Sequence, residues 1–158
     1  MLHLIHGPII SPDTALPRVA IEVDRLKLAK RLWRGFAVDG VEFGFELEKP
    51  LQPGDMVFRT DDACYVIVQT PEALLEISLA VAPSAAAGIG WAIGNLHLEL
   101  MAEATRLLTP DEKAVRQLLE RLGVTYRETN AVFRPGRFVR GQQNQTVQAD
   151  DLGPSHKH

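Results

Sequence analysis

Histidine carries the chemistry that this chain offers, and its five copies are spaced unevenly. His3 and His6 stand near the start, His156 and His158 at the finish, and His97 alone in the middle. A neutral imidazole is the commonest side-chain metal ligand and suits nickel, copper and zinc. One imidazole cannot hold an ion alone. Two copies of His97 related by a dimer axis can begin a ligand set, and the His156-Lys157-His158 end can bend back to extend it at the cost of ordering the chain. Spacing alone fits an ordinary surface histidine at 97 better than a metal ligand. His3 and His6, three residues apart, do not share a strand face, so they are left out of the ligand set.

No catalytic constellation accompanies these histidines. The chain has no Gly-rich phosphate loop, no Gly-x-Ser-x-Gly and no His-Glu-x-x-His, so it reads as a non-enzyme. Asp61-Asp62 falls in a turn, where solvation accounts for the paired carboxylates. Cys64, the one cysteine, reads as a small packed thiol and excludes an intramolecular disulfide framework. The basic run Arg25, Lys27, Lys30, Arg31 and Arg34 reads as a guarded strand edge, with docking of a partner protein as a further use. Arg134, Arg137 and Arg140 suit an acidic partner in the same way.

The elements that must position His97 follow from periodicity. Arg18–Val23 and Val41–Leu47 alternate with period two, as half-buried strands do. Asp39-Gly40 is a hairpin signal between Arg31–Val38 and the second of these. Pro53-Gly54-Asp55 and Asp61-Asp62 mark further turns, the latter before Tyr65–Val68. A small β-barrel or sandwich follows for residues 1–72. Beyond it the order is a strand at Leu74–Val81, a helix at Ala85–Ile93 and strands at Leu96–Glu103 and Arg106–Leu108. Thr109-Pro110-Asp111-Glu112 then reads as a capping box opening a helix with Ala114, Val115, Leu118, Leu119 and Leu122 on one face, closed by Gly123. Val124–Val132 is the last strand. The fold class is α+β: the β-rich domain, a ferredoxin-like βαββαβ domain over 73–140, and a disordered tail over 141–158. Gly94-Asn95 is expected to end the first helix by tolerating left-handed backbone, leaving His97 at the start of a strand with its side chain projecting.

Composition narrows the class. With 46% hydrophobic and 23% charged residues the chain can build a core, and its net charge of -3 argues against nucleic acid as a partner. No apolar run approaches the ~20 residues that span a bilayer, and residues 1–7 lack a signal-peptide pattern. A cytoplasmic protein without a membrane partner is the expectation.

Trp91-Ala92-Ile93-Gly94-Asn95-Leu96-His97 resembles the Gly-Asn-Arg/Lys-His signature of the UreE family of urease accessory nickel metallochaperones. Arg31–Gly35, Asp39–Gly44 and Leu51–Asp55 are similar to that family's N-terminal domain. Pro110–Gly123 and Phe133-Arg134-Pro135-Gly136 are similar to its C-terminal domain. Two positions depart: Leu96 stands where a basic residue is usual, and the tail has two histidines instead of a long run. The resemblance implies Ni²⁺ as cargo and His97 paired across a homodimer with His156 and His158 in support; the nitrogen ligands by themselves also allow Zn²⁺ or Cu²⁺ in vitro. It also implies the maturation GTPase, other urease accessory proteins and apo-urease as partners, with the N-terminal domain as a protein- or peptide-docking module. The alternative is a metal-independent protein-binding adaptor of the same build.

Overall fold

The structure, a computed structural model, describes residues 1–10, 15–136, 138–140 and 145–147. It divides into two compact units, Met1–Pro71 and the remainder from Glu72.

The first unit is built from two three-stranded sheets around one core. One sheet joins β1 (Leu2–Ile5), β3 (Leu32–Phe36) and β4 (Glu42–Glu46) in the order β1-β4-β3. The other joins β2 (Arg18–Val23), β5 (Met56–Arg59) and β6 (Cys64–Gln69) in the order β2-β6-β5. The Asp39-Gly40 hairpin forms, with Gly40 at φ 90°, a region that costs glycine nothing. Ile21, Phe43, Phe45 and Ile67 are fully buried, and Trp33 stacks on Phe45 with ring centroids 3.7 Å apart. The sheets meet through a bridge between Ile21 and Ala37, and the Val38 amide donates to the Ala20 carbonyl at 2.9 Å. Among the described residues the strands do not close into the barrel that the sequence allowed. The basic run is also more than a strand edge: Arg25–Leu28 forms a helical turn, α1, capped by the Asp24 carboxylate, which accepts from the Lys27 amide at 2.8 Å.

The second unit runs β7 (Glu72–Ser78), α2 (Pro83–Asn95), β8 (Met101–Ala102), β9 (Arg106–Pro110), α3 (Lys113–Arg121) and β10 (Arg127–Ala131). The four strands form one antiparallel sheet in the order β10-β7-β9-β8. Alternation along β7 and β9 splits the apolar residues between two faces. Leu75, Ile77 and Leu107 pack with Ile89 and Ile93 of α2 and with Val115, Leu118 and Leu119 of α3. Leu74 and Leu108 pack on the other face with Met101 and Phe133. Further on, β11 (Phe138–Arg140) pairs antiparallel with β12 (Gln145–Val147). The rest of 141–158 lies outside the described residues.

Three local expectations change. The capping box does not form: Thr109 and Pro110 belong to β9, where the buried Thr109 hydroxyl donates to the Glu99 carbonyl at 3.0 Å. The helix starts three residues later than a box would place it, with Glu112 at the N-cap and no side-chain bond. The strand expected over Leu96–Glu103 shrinks to Met101–Ala102, because Leu98 and Leu100 pack onto the helix-side core from a loop. Finally, Ala114 and Leu122 of the expected helix face are exposed, leaving Val115, Leu118 and Leu119 to bury it.

One ion network ties the sheet together. Glu76 accepts from Arg106 Nη1 at 2.8 Å and from Arg127 Nη2 at 2.6 Å, linking β7 to both its neighbours. The two guanidiniums, Arg106 first, hold the Glu76 carboxyl below the usual carboxylate range against the opposing effect of burial. A carboxyl with a depressed folded pKa stabilises above its unfolded value of 4.5, and that stabilisation is lost as pH falls through the folded value. Glu76→Gln should therefore melt below the wild type at neutral pH, and the gap should narrow under acid. Melting curves from pH 7 down to the acid limb measure it; a gap that widens in acid contradicts this role.

Candidate metal centre

His97 is placed by the end of α2. Pro83 at the first helical position presets the backbone, and the helix runs through Gly94 and Asn95, which the sequence reading had placed at its end. Leu96 is the C-cap, and the Leu96 and His97 amides close on the carbonyls of Ile93 (3.1 Å) and Gly94 (2.9 Å). The left-handed position then falls on His97 itself, at φ 57°. No other described non-glycine residue has a positive φ. The imidazole is exposed and stands in a turn four residues before β8. Two consequences follow for a cation. The last turn of α2 has no basic side chain, so its carbonyl ends keep their partial negative charge. The site is also open, so an ion reaches it from solvent without rearrangement.

The helix that presents His97 is itself unusual. From Pro83 to Leu96 there is no charged residue. Ile89 and Ile93 point into the core, while Ala87, Gly88, Trp91 and Asn95 share the opposite, exposed face. Trp91 is 71% exposed, and Leu96 beside His97 is 37% exposed. Sequence reading gave Trp91 no role. The signal it overlooked is the missing charge on a helix that can bury only one side.

The other histidines divide clearly. The His3 ring packs against Phe58 with centroids 4.4 Å apart, and His6 Nδ1 lies 3.2 Å from the Glu46 carbonyl oxygen, so the two side chains are engaged separately. His156 and His158 lie outside the described residues. Among the described residues, no group of three or more His, Cys, Asp or Glu side chains is placed to hold a metal ion. Cys64 is fully buried in the first unit. No helix among the described residues is long and apolar enough to cross a membrane.

The described chain is thus α+β in two units, with an exposed histidine just after an uncharged helix. Comparison with known proteins makes the class definite. Residues 72–158 match the family described as UreE urease accessory protein, C-terminal domain. The urease accessory protein UreE of Deinococcus radiodurans is 33% identical over 123 residues, covering 75% of this chain and 74% of the relative. That of Beijerinckia indica is 34% identical over 127 residues, covering 78% and 70%. The match to that of Rhizobium rhizogenes, 34% identical, covers 53% of this chain and 50% of the relative. The chain belongs to the UreE family of urease accessory proteins, which are named as accessory proteins and not as enzymes.

The left-handed backbone at 97 has a measurable cost. An L-residue there gives up about 1–2 kcal/mol, of which glycine recovers all but its own ~0.5–1 kcal/mol of chain entropy. Metal-free His97→Gly should therefore be more stable than wild type by about 0.5–1 kcal/mol, a rise of roughly 1–4 °C in Tm. His97→Ala should show no such gain. Calorimetry in chelator checks both; equal melting of the glycine and alanine variants would mean that the turn is unstrained.

Proposed function

We propose that this chain is a nickel metallochaperone that delivers Ni²⁺ for assembly of the urease active site. In this reading two protomers pack through the uncharged face of α2, and the two His97 imidazoles approach each other across the two-fold axis. His156 and His158 add nitrogens, and water completes the shell. The observation that carries the proposal is the coincidence of two features on one helix. Its solvent face has no charge and ends in a strained, exposed histidine, which is what a symmetric interface with a shared ligand pair requires.

Such a site suits transfer. It is incomplete within one chain and open to solvent, so metal enters and leaves without unfolding anything. Imidazole binds metal only in its neutral form, so acid should release the ion. Nickel is assigned from the family, because nitrogen ligands alone bind copper more tightly and accept zinc as well. The remaining elements complete the proposal. Residues 1–72 serve as a docking domain for the maturation GTPase, other accessory proteins or apo-urease, and 73–140 as a ferredoxin-like metal-binding and dimerisation domain. The protein acts in the cytoplasm, without nucleic acid or membrane. A metal-independent adaptor would use the same two domains and leave His97 idle.

Titration calorimetry separates the readings. The wild type should take up roughly one Ni²⁺ per dimer at high affinity. His97→Ala should lose that site while remaining dimeric, and unchanged uptake would refute the assignment. Removal of Ser155–His158, which takes away both tail histidines, should weaken binding by about tenfold or more, ~1.4 kcal/mol or above, without dissociating the dimer. Trp91→Glu should shift sedimentation toward monomer and weaken nickel binding with it; a folded Trp91→Glu dimer with wild-type affinity would show that another surface makes the interface.

A further inference from the structure

A sheet buried on one side is normally polar on the other. The outer face of the β1-β4-β3 sheet carries Glu42, Glu46 and Arg34, but also four exposed apolar side chains. Phe43 and Phe45 point into the core, so Glu42, Gly44 and Glu46 share the outer face of β4. Leu2 and Leu4 flank that row on β1, 41% and 55% exposed. Leu32 and Phe36 flank it on β3, 76% and 61% exposed. Gly44 itself is buried beneath the ends of Leu2 and Leu4, and beside it, between these leucines, Leu32, Arg34 and Glu46, lies an open cavity of about 320 Å³.

The fold does not demand this glycine. Its backbone is ordinary strand, and a Cβ there would meet only the ends of Leu4 and Leu2, at ordinary contact distances of 3.5 and 3.6 Å. Glycine in a strand interior weakens it and marks a close approach by something else. Here it lets the ends of Leu2 and Leu4 lie down on the strand beside the cavity.

We infer that this groove binds an extended segment of another protein with the pattern basic-x-apolar-x-basic. The inference rests on the docking role proposed for residues 1–72 and identifies the surface and the ligand chemistry. In an extended chain, side chains i, i+2 and i+4 point the same way at ~3.3 Å per residue, the same repeat as Glu42, Gly44 and Glu46. The apolar side chain seats in the cavity beside Gly44, between Leu4 and Leu32, and the two cations meet the two carboxylates. Glu46 is exposed and has no ion pair among the described residues, so it is the stronger anchor. Glu42 is partly answered by Arg34, whose Nη1 lies 3.9 Å away. Arg34 stands opposite Gly44 in the register, and its charge disfavours a cation at the middle position. Acidic flanks on the segment would meet like charge at both ends.

The test uses the full chain and two labelled nonapeptides in fluorescence polarisation at low salt. One contains Lys-Ser-Leu-Ser-Lys and the other Glu-Ser-Leu-Ser-Glu in the same serine-glycine flanks. The lysine peptide should bind at least about tenfold more tightly, a difference of ~1.4 kcal/mol. Gly44→Val, which suits a strand and fills the groove, should abolish binding of that peptide. Glu46→Lys, a surface change that leaves the core untouched, should remove the preference for it. Equal binding of both peptides, or wild-type binding by a folded Gly44→Val, overturns the inference. So does self-association of the wild type that Gly44→Val abolishes, since a second copy would then be the occupant. Nickel uptake measured on the same variants should stay at the wild-type value, so failure here is distinguishable from failure of the metal site.

Discussion

A thirteen-residue helix without a single charge has to cover its second side. Helix α2 buries Ile89 and Ile93 against its own sheet and leaves Trp91 in water on the opposite face. A tryptophan left 71% exposed forgoes much of the ~1.5–3 kcal/mol that burial of a large apolar side chain gives. The small residues around it, Ala87, Gly88 and Gly94, lower the surface so that another backbone can come close. The same helix ends on a histidine in a conformation that glycine or asparagine would hold more cheaply. Each feature alone destabilises the free chain. Together they suit the pairing proposed above.

The rest of the second unit serves to hold that helix still. Packing of α2 and α3 on one face of the β10-β7-β9-β8 sheet fixes the helix axis. The Glu76 network clamps β7 to β9 and β10 from the other face. A second carboxylate-guanidinium set, Arg116 with Asp111 and Glu128, joins α3 to the strand that follows it, through contacts of 2.6 Å. Rigid support matters for the proposed site, whose ligands would come from two chains. A small error in the direction of one imidazole is doubled by the symmetry.

Much of this framework was legible in the sequence, and what was not has physical causes. The alternation in Val41–Leu47 and the Asp39-Gly40 turn located the hairpin, because a one-residue slip would have put Phe43 and Phe45 in water. Val115, Leu118 and Leu119 with Gly123 located α3. Helix α1 was hidden because four residues are too few to show a period. Thr109-Pro110 imitated a cap because the same residue types that cap a helix can also end a strand, and only the carbonyl of Glu99 decides where the Thr109 hydroxyl goes. At the candidate site, the exposure of His97 followed from its place after a helix. The left-handed backbone did not, since Gly94 and Asn95 are the better candidates by type and yet remain helical. Trp91 was missed because an aromatic at helical spacing usually faces the core.

The central claim is that one ion is held by two copies of residue 97. Subunit mixing tests it most directly: wild type and His97→Ala are combined in equal amounts, exchanged to equilibrium, and the high-affinity Ni²⁺ capacity is measured. If both imidazoles are needed, only dimers with two wild-type chains bind, and the capacity falls to about a quarter of the pure wild-type value. A fall to about half would mean that each chain binds its metal alone, and the shared site would be wrong.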